Sequence, residues 1–289
     1  MIIAPVRRRE ASAGSLCRVG TYARLVNILG DLPGAIVAYS GGADSAFLAD
    51  VAHEVLGAKM VAVTAVSESL APSEREAARA LASRRGWAHE EIRTFEIEKA
   101  AYRANAPDRC FHCKDTLFDS LDELAAERRA VVLVGTNLDD TGDFRPGSRA
   151  AREHGVRAPL LEAKLTKEEI RELSRARGLP TWDKPASACL ASRIAYGIEV
   201  TPDRLERVAR AEEFLRSLNL RELRVRDHGD LARIEVPSSD VHRIAEPQTR
   251  DRVVAFFKEL GFDHITLDLQ GFRSGSMNAG LLSIGRKGS

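Results

Sequence analysis

The chain is predicted to be an α/β protein with a larger parallel-sheet unit followed by a smaller α+β unit. Three observations predict it: four short apolar runs alternate with helix-like segments between Ala35 and Val134, a glycine turn closes the first run, and the order changes to α-β-β-α-β beyond Thr201. Strands separated by helices cannot be joined by hairpins, so they pair in parallel, with helices covering both faces of the sheet. Ligands of such sheets bind where the strands end.

Residues 1–18 are basic and rich in small side chains, which suits a loosely held tail before a helix around Tyr22 to Leu29. The apolar runs Ala35–Tyr39, Met60–Val66, Ile92–Ile97 and Val131–Val134 are the expected strands. Between them lie expected helices at Ala46–Leu56, Ser73–Arg85 and Asp115–Arg129. Thr166-Lys167-Glu168-Glu169 is a capping box opening an amphipathic helix that stops near Gly178-Leu179-Pro180. Trp182 to Gly197, with Pro185 and many small residues, suits a loop between domains. Thr201 and Pro202 then stand as N-cap and first residue of a long amphipathic helix. A hairpin of Leu223–Asp227 and Leu231–Val236 around Gly229 follows, then helices from Asp240 and Gln248 and a strand at Ile265–Leu269. The expected boundaries are a tail at 1–18, a first domain at 19–197 and a second at 198–289.

The chain has 289 residues, with 43 Lys and Arg against 42 Asp and Glu and a net charge of +1. Such a balance provides no global basic field for nucleic acid, and a small anionic ligand fits it better. No apolar stretch approaches the ~20 residues of a membrane span, and Arg7-Arg8-Arg9 precedes no hydrophobic leader core. The expectation is a cytoplasmic protein with no membrane partner. Four cysteines, unevenly placed, do not make a disulfide framework and point to thiol or metal chemistry in a reducing compartment.

Ser40-Gly41-Gly42-Ala43-Asp44-Ser45 lies between the first apolar run and the first helix of the alternating series. Its glycines permit positive φ and close backbone approach, and Ser40 and Ser45 add hydroxyls beside the free amides of a helix start. A phosphate chain is the expected guest. The loop lacks the Gly-Lys-Ser/Thr of a Walker A motif. Gly135-Thr136-Asn137-Leu138-Asp139-Asp140 ends another strand and should face the same crevice.

Cys110-Phe111-His112-Cys113-Lys114 stands just before the helix expected from Asp115. A helix N-terminus beside Arg109 and Lys114 is expected to lower the thiol pKa values and favour the thiolate, which is both nucleophile and metal ligand. With Cys189 these make three cysteines outside the tail, a set suiting either a four-iron four-sulfur cluster with one open iron or a sulfur-transferring trio. Inert packing of the three is the bland alternative.

Together with Arg145-Pro146-Gly147, Pro185-Ala186-Ser187-Ala188-Cys189-Leu190-Ala191-Ser192-Arg193 and Gly271-Phe272-Arg273-Ser274-Gly275-Ser276-Met277-Asn278, these motifs resemble the LarE family of ATP-dependent sulfur transferases. The glycine loop alone resembles the pyrophosphate loop of the wider adenine-nucleotide α-hydrolase superfamily. The resemblance implies a pyrophosphate-loop fold, ATP and Mg²⁺ as cofactors, and a substrate, pyridinium-3,5-biscarboxylic acid mononucleotide, that is converted to a thiocarboxylate for a nickel-pincer cofactor. It further implies a homo-oligomer, a hexamer in the family. Cys189 matches the family cysteine that gives up its own sulfur, whereas Cys110 and Cys113 make this chain resemble the three-cysteine form that holds a cluster. Ser40, Gly41, Gly42, Asp44, Ser45, Gly135, Thr136 and Asn137 are the expected ATP-binding residues, with Asp44 also a candidate Mg²⁺ ligand. Lys114, Arg193, Arg224, Arg226 and Arg273 are candidates for the substrate's anionic groups; Arg224 and Arg226, two apart in a strand, share one face. Rival functions are a tRNA thiolase or an ammonia-using amide ligase of the same superfamily, or a non-catalytic adenine-nucleotide sensor.

Overall fold

The computed structural model describes residues 13–142, 147–185 and 189–273. Of the expected motifs, Arg145, Pro146, Ala186 to Ala188 and Ser274 to Asn278 lie outside the described residues. The first unit runs α1 (Ala13–Gly30), β1 (Ala35–Ala38), α2 (Ala43–Leu56), β2 (Met60–Val66), α3 (Pro72–Arg85), β3 (His89–Arg93), α4 (Ala100–Arg103), α5 (Arg109–Arg128) and β4 (Val131–Leu133). Three helices follow, α6 (Gly147–Glu153), α7 (Pro159–Glu162) and α8 (Lys167–Ala176). The second unit comprises α9 (Pro202–Ser217), β5 (Arg224–Asp227), β6 (Leu231–Glu235), α10 (Val241–Ala245), α11 (Pro247–Glu259) and β7 (His264–Leu267).

The first four strands form one parallel sheet in the order β3-β2-β1-β4. β1 is central, and Ala35, Ile36 and Val37 are all fully buried, because a strand covered on both faces carries an unbroken apolar run. Val37 joins Leu25, Leu29, Phe47 and Ile170 in a core on the α1, α2 and α8 side. Ile36 points the other way, to Leu117, Phe118 and Leu121 of α5. The chain thus steps outward from β1 to β3 and then returns to the opposite side of β1, so the crossover direction reverses between β1 and β4. A crevice at the carboxyl ends of those two strands is the consequence.

Three elements differ from the expected ones. The helix expected at Tyr22 starts at Ala13, within the expected tail. The third strand is His89–Arg93 rather than Ile92–Ile97, because β2 ends at Val66, paired with Arg93, and offers no ladder beyond it. Glu96 to Glu98 instead form a 3₁₀ turn, with buried Glu96 accepting the Ser67 hydroxyl at 2.6 Å. The long helix begins at Arg109 rather than Asp115. Its start is fixed from far along the chain: Asn105 Nδ2 donates to the carbonyls of Ile194, Ala195 and Ile198, and Asn105 Oδ1 accepts from Arg109.

In the second unit β5 and β6 pair antiparallel and β7 adds parallel to β6. Its apolar core, Leu215, Val225, Ile234, Val253 and Phe257 among others, sits beside a seam of buried ion pairs. Glu212 of α9, 1% exposed, receives Arg193 at 2.9 Å, Arg216 at 2.8 Å and the Val225 amide at 3.2 Å. Burial opposes its ionisation, but Arg193, Arg216 and Arg224 outweigh burial and hold its carboxyl below the usual carboxylate range.

Removing one member of a buried pair leaves the other charge uncompensated, so Glu212→Ala is expected to lower stability by about 3–5 kcal/mol in urea unfolding. Because the folded carboxyl is the more acidic, Glu212 contributes stability above the unfolded carboxylate pKa and loses it as pH falls through the folded value. The parent should therefore lose more stability on acidification than Glu212→Gln does.

Candidate active site

The glycine loop connects β1 to α2 at the switch point. Gly41 has φ +72°, and a Cβ there would lie 3.2 Å from Ala78 Cβ of α3, so the turn requires glycine on both conformation and space. Ser45 Oγ organises the loop: it accepts from the Ser40 amide at 3.3 Å, lies 3.1 Å from the Ser40 hydroxyl and donates to the Gly42 carbonyl at 3.3 Å. Gly42, the N-cap of α2, brings no side chain to cap the first-turn amides. Uncapped amides at the positive end of a 14-residue helix form an anion cradle.

The end of β4 closes over this cradle. A Cβ on Gly135 would stand 2.8 Å from the Ser45 nitrogen and 3.0 Å from the Asp44 carbonyl carbon, so two backbones touch there. Asn137 is fully buried; its Oδ1 accepts from the Asp139 amide at 3.0 Å, and its own amide donates to Asp140 at 3.0 Å. Asn137 Nδ2 and Asp44 Oδ1 are both buried with no hydrogen-bond partner. Two orphaned polar atoms at one strand end are a ligand's signature, since buried polar groups are otherwise paired. Lys167, Lys184 and Glu74, none of them expected from sequence, border the loop: Lys167 pairs with Asp44, and Lys184 binds the Gly41 carbonyl at 3.0 Å and Glu74 at 2.6 Å. Isolated lysines on distant segments leave no local pattern. The capping box was the only signal near Lys167.

The three cysteines come together at the start of α5. Cys110 and Cys113 occupy the first turn of α5, three residues apart, and Cys189 precedes a 3₁₀ turn, Leu190–Arg193. All three are free thiols. The Leu190 amide donates to the Ser69 carbonyl at 2.9 Å, and Arg193 Nη1 donates to the Cys189 carbonyl at 3.1 Å, which fixes the backbone at the thiol. Buried Arg109 donates to the Ala191 carbonyl at 2.9 Å. Cys113 packs against Tyr102 and Leu190, and the Tyr102 hydroxyl meets that of Ser69.

The thiol acidities differ from expectation. Burial, followed by the charge of Cys189, pushes Cys113 up to about 12, and the same two causes raise Cys110. Arg109 and Lys114 oppose the rise at Cys110, and Lys114 at Cys113, without reversing it. The helix start that was expected to favour thiolates is enclosed by the Cys189 segment, and desolvation wins.

The expected substrate arginines are placed unequally. Arg193, 3% exposed, is held by Glu212, and Arg226 bonds Glu235 at 2.9 Å and the Ser192 carbonyl at 3.1 Å. Both anchor the cysteine segment to the second unit. Arg224 lies over the Phe272 ring, 5.1 Å from its centroid, and burial with Arg193 and Arg226 nearby lowers its pKa to about 10. Arg273 is exposed, next to Phe272, whose amide bonds the Val236 carbonyl, and Lys114 Nζ lies 5.9 Å from the Phe118 ring.

Two outcomes follow from this geometry. Gly135→Ala places its Cβ inside the van der Waals envelope of α2 and should abolish nucleotide binding in calorimetry even in variants that still fold. In metal-free protein, alkylation of Cys113 should be slow at pH 8 and should accelerate as pH rises past the ordinary thiol value toward 12, as peptide mass mapping would show.

No family model matches the chain. A pyridinium-3,5-bisthiocarboxylic acid mononucleotide synthase of Lactiplantibacillus plantarum is 39% identical over 259 residues, 89% of this chain and 93% of that protein. An uncharacterized protein of Synechocystis sp. is 46% identical over 255 residues, 88% of this chain and 95% of that one. Another, from Methanocaldococcus jannaschii, is 29% identical over 240 residues, 83% of this chain and 90% of its own length. Being 39% identical over nearly its full length to that synthase, the chain belongs to the LarE family.

Proposed function

We propose that the protein is an ATP-dependent sulfur transferase that converts a carboxylate of pyridinium-3,5-biscarboxylic acid mononucleotide to a thiocarboxylate, for nickel-pincer cofactor biosynthesis. The observation that carries this reading is that the uncapped start of α2, beside two orphaned polar atoms, lies on the same carboxyl side of the sheet as three free cysteines carried by α5 and by a segment bonded to Ser69 beyond β2. Family membership supplies the substrate class.

In this reading a substrate carboxylate oxygen attacks the α-phosphorus of ATP and pyrophosphate leaves. The loop amides, Ser40 and Ser45 bind the phosphate chain, and Gly135 to Asn137 close over the adenylate. Sulfur then adds to the activated carbonyl and AMP departs with the electron pair of the broken C–O bond. Where Cys189 is the donor, loss of its Cα proton breaks the Cβ–S bond and leaves dehydroalanine with the thiocarboxylate product. Asp44, whose Oδ1 is a buried acceptor lacking a partner, is suited to hold Mg²⁺, which would offset phosphate charge. Cys110, Cys113 and Cys189 would hold a four-iron four-sulfur cluster, and it would supply an exchangeable sulfide.

Among the described residues no helix is long and apolar enough to cross a membrane. A cytoplasmic setting would keep the three thiols reduced, and a homo-oligomer, a hexamer as in the family, is the proposed assembly.

Intact-protein mass after one turnover with ATP, Mg²⁺ and the biscarboxylate mononucleotide tests the reading, run on metal-free and on anaerobically reconstituted protein. Loss of the mass of one H₂S at Cys189 is the result expected of sacrificial donation. Unchanged mass, with product from reconstituted protein only, is expected of the cluster route. Absence of thiocarboxylate in both states would sink the assignment. Cys189→Ala should abolish product under either route.

A further inference from the structure

The glycine loop has no lysine of its own, yet a lysine reaches it from 123 positions further along the chain. Lys167 is the first residue of α8, and its Nζ pairs with Asp44 in the first turn of α2. Its backbone is fixed at both sides. The Lys167 amide donates to Asp139 Oδ2 at 2.6 Å, and the preceding Thr166 accepts from the Glu169 amide at 3.2 Å while its own amide donates to Glu169 at 2.9 Å. From this anchored base a flexible four-carbon stem carries the ammonium to the phosphate cradle.

The placement runs against local electrostatics, which is informative. A cation at a helix N-terminus opposes the helix dipole, and this ammonium lies between two such ends, those of α2 and α8. Asp44 balances it in the empty protein, but the pair is partly solvated, with 35% and 22% of the two side chains exposed, and such pairs hold weakly. A polyphosphate, with several negative charges at the same helix ends, is a stronger partner than one carboxylate. Lys184 is a poor candidate for that role, because its ammonium is held by the Gly41 carbonyl and Glu74 as part of the loop's support.

We propose that Lys167 supplies the phosphate-gripping ammonium that the glycine loop lacks: it rests on Asp44 when the site is empty and transfers to the β- and γ-phosphates of a bound nucleoside triphosphate. The transfer also frees the Asp44 carboxylate for a divalent cation. The proposal rests on the nucleotide reading above and adds to it the residue that distinguishes a triphosphate from a monophosphate.

The test is calorimetric titration of the parent, Lys167→Met and Lys167→Arg with Mg²⁺ and α,β-methylene-ATP, and separately with AMP. A lost charge-assisted contact predicts roughly ten- to hundredfold weaker binding of the triphosphate analogue to Lys167→Met, with partial recovery in Lys167→Arg. AMP binding should be unchanged, because AMP lacks the phosphates that Lys167 grips. Nucleotide-free Lys167→Met should bind Mn²⁺ more tightly than the parent by electron paramagnetic resonance, Asp44 no longer being neutralised. Equal weakening of analogue and AMP would make Lys167 a structural support, and unchanged binding of both would make it a surface pair; either result overturns the proposal. A parent that binds neither nucleotide would instead overturn the nucleotide reading itself.

Discussion

Backbone contact between the end of β4 and the first turn of α2 is the constraint on which the site depends. A Cβ at Gly135 would be 2.8 Å from the Ser45 nitrogen, so the strand end and the helix start can approach this closely only with glycine in that position. Two residues after Gly135, buried Asn137 accepts the Asp139 amide on its side chain and donates its own backbone amide to Asp140, and Asp139 in turn holds the amide of Lys167. One missing side chain thus sets the relation of two helix N-termini. Elsewhere in the sheet a comparable shift would alter packing; here it would move every group that faces the phosphate cradle.

Cysteine placement depends on a different physical device. Nothing local holds Cys189 near Cys110 and Cys113, because Cys189 is followed only by the four-residue 3₁₀ turn Leu190–Arg193. Buried charge does the positioning. Arg193 spans from Glu212 to the Cys189 carbonyl, Arg226 from Glu235 to the Ser192 carbonyl, and Arg109 from Asn105 to the Ala191 carbonyl. Three guanidinium groups, each satisfied by carboxylate or amide oxygen at one end, therefore grip three carbonyls of a single turn. Planar, multiply donating guanidinium is suited to this, since it can serve an acid and a backbone oxygen together, as a lysine could not with the same geometry. The arrangement also ties the second unit to the sulfur chemistry through Glu212 of α9 and Glu235 of β6.

The sheet, its glycine turn and the capping box at Thr166 were legible in the sequence because each is a local pattern: an unbroken apolar run, a Gly-Gly pair, a Thr-x-x-Glu spacing. The start of α5 was not. Residues Arg109 to Lys114 carry no helix signal strong enough to outweigh cysteine and histidine, and the helix begins there because Asn105 is fastened to carbonyls some ninety positions away. The third strand was displaced for a similar reason, as the length of its neighbour β2, and not its own apolar content, decides where pairing stops. Among site residues the glycines and cysteines were visible as spacings. Lys167 and Lys184 were not, since a single surface-type lysine acquires meaning only from what folds against it. Arg193 and Arg226 were visible as charges, but their carboxylate partners lie on other elements.

The two ends of the site make opposite electrostatic demands, and the fold meets them separately. A phosphate chain bound as proposed would meet positive helix ends and the Lys167 ammonium beside Asp44. At the cysteines, in contrast, desolvation and the charge of Cys189 disfavour the thiolates of Cys110 and Cys113, with Arg109 the buried cation beside them. Two states relieve that repulsion. Protonation keeps Cys110 and Cys113 neutral and poor nucleophiles; iron, a cation far stronger than one guanidinium, would reverse the local balance and draw them to thiolates. The same enclosure that makes Cys113 a poor acid in the metal-free protein would therefore strengthen its attachment to a cluster, because a thiolate deprived of water gains the more from a metal that replaces it.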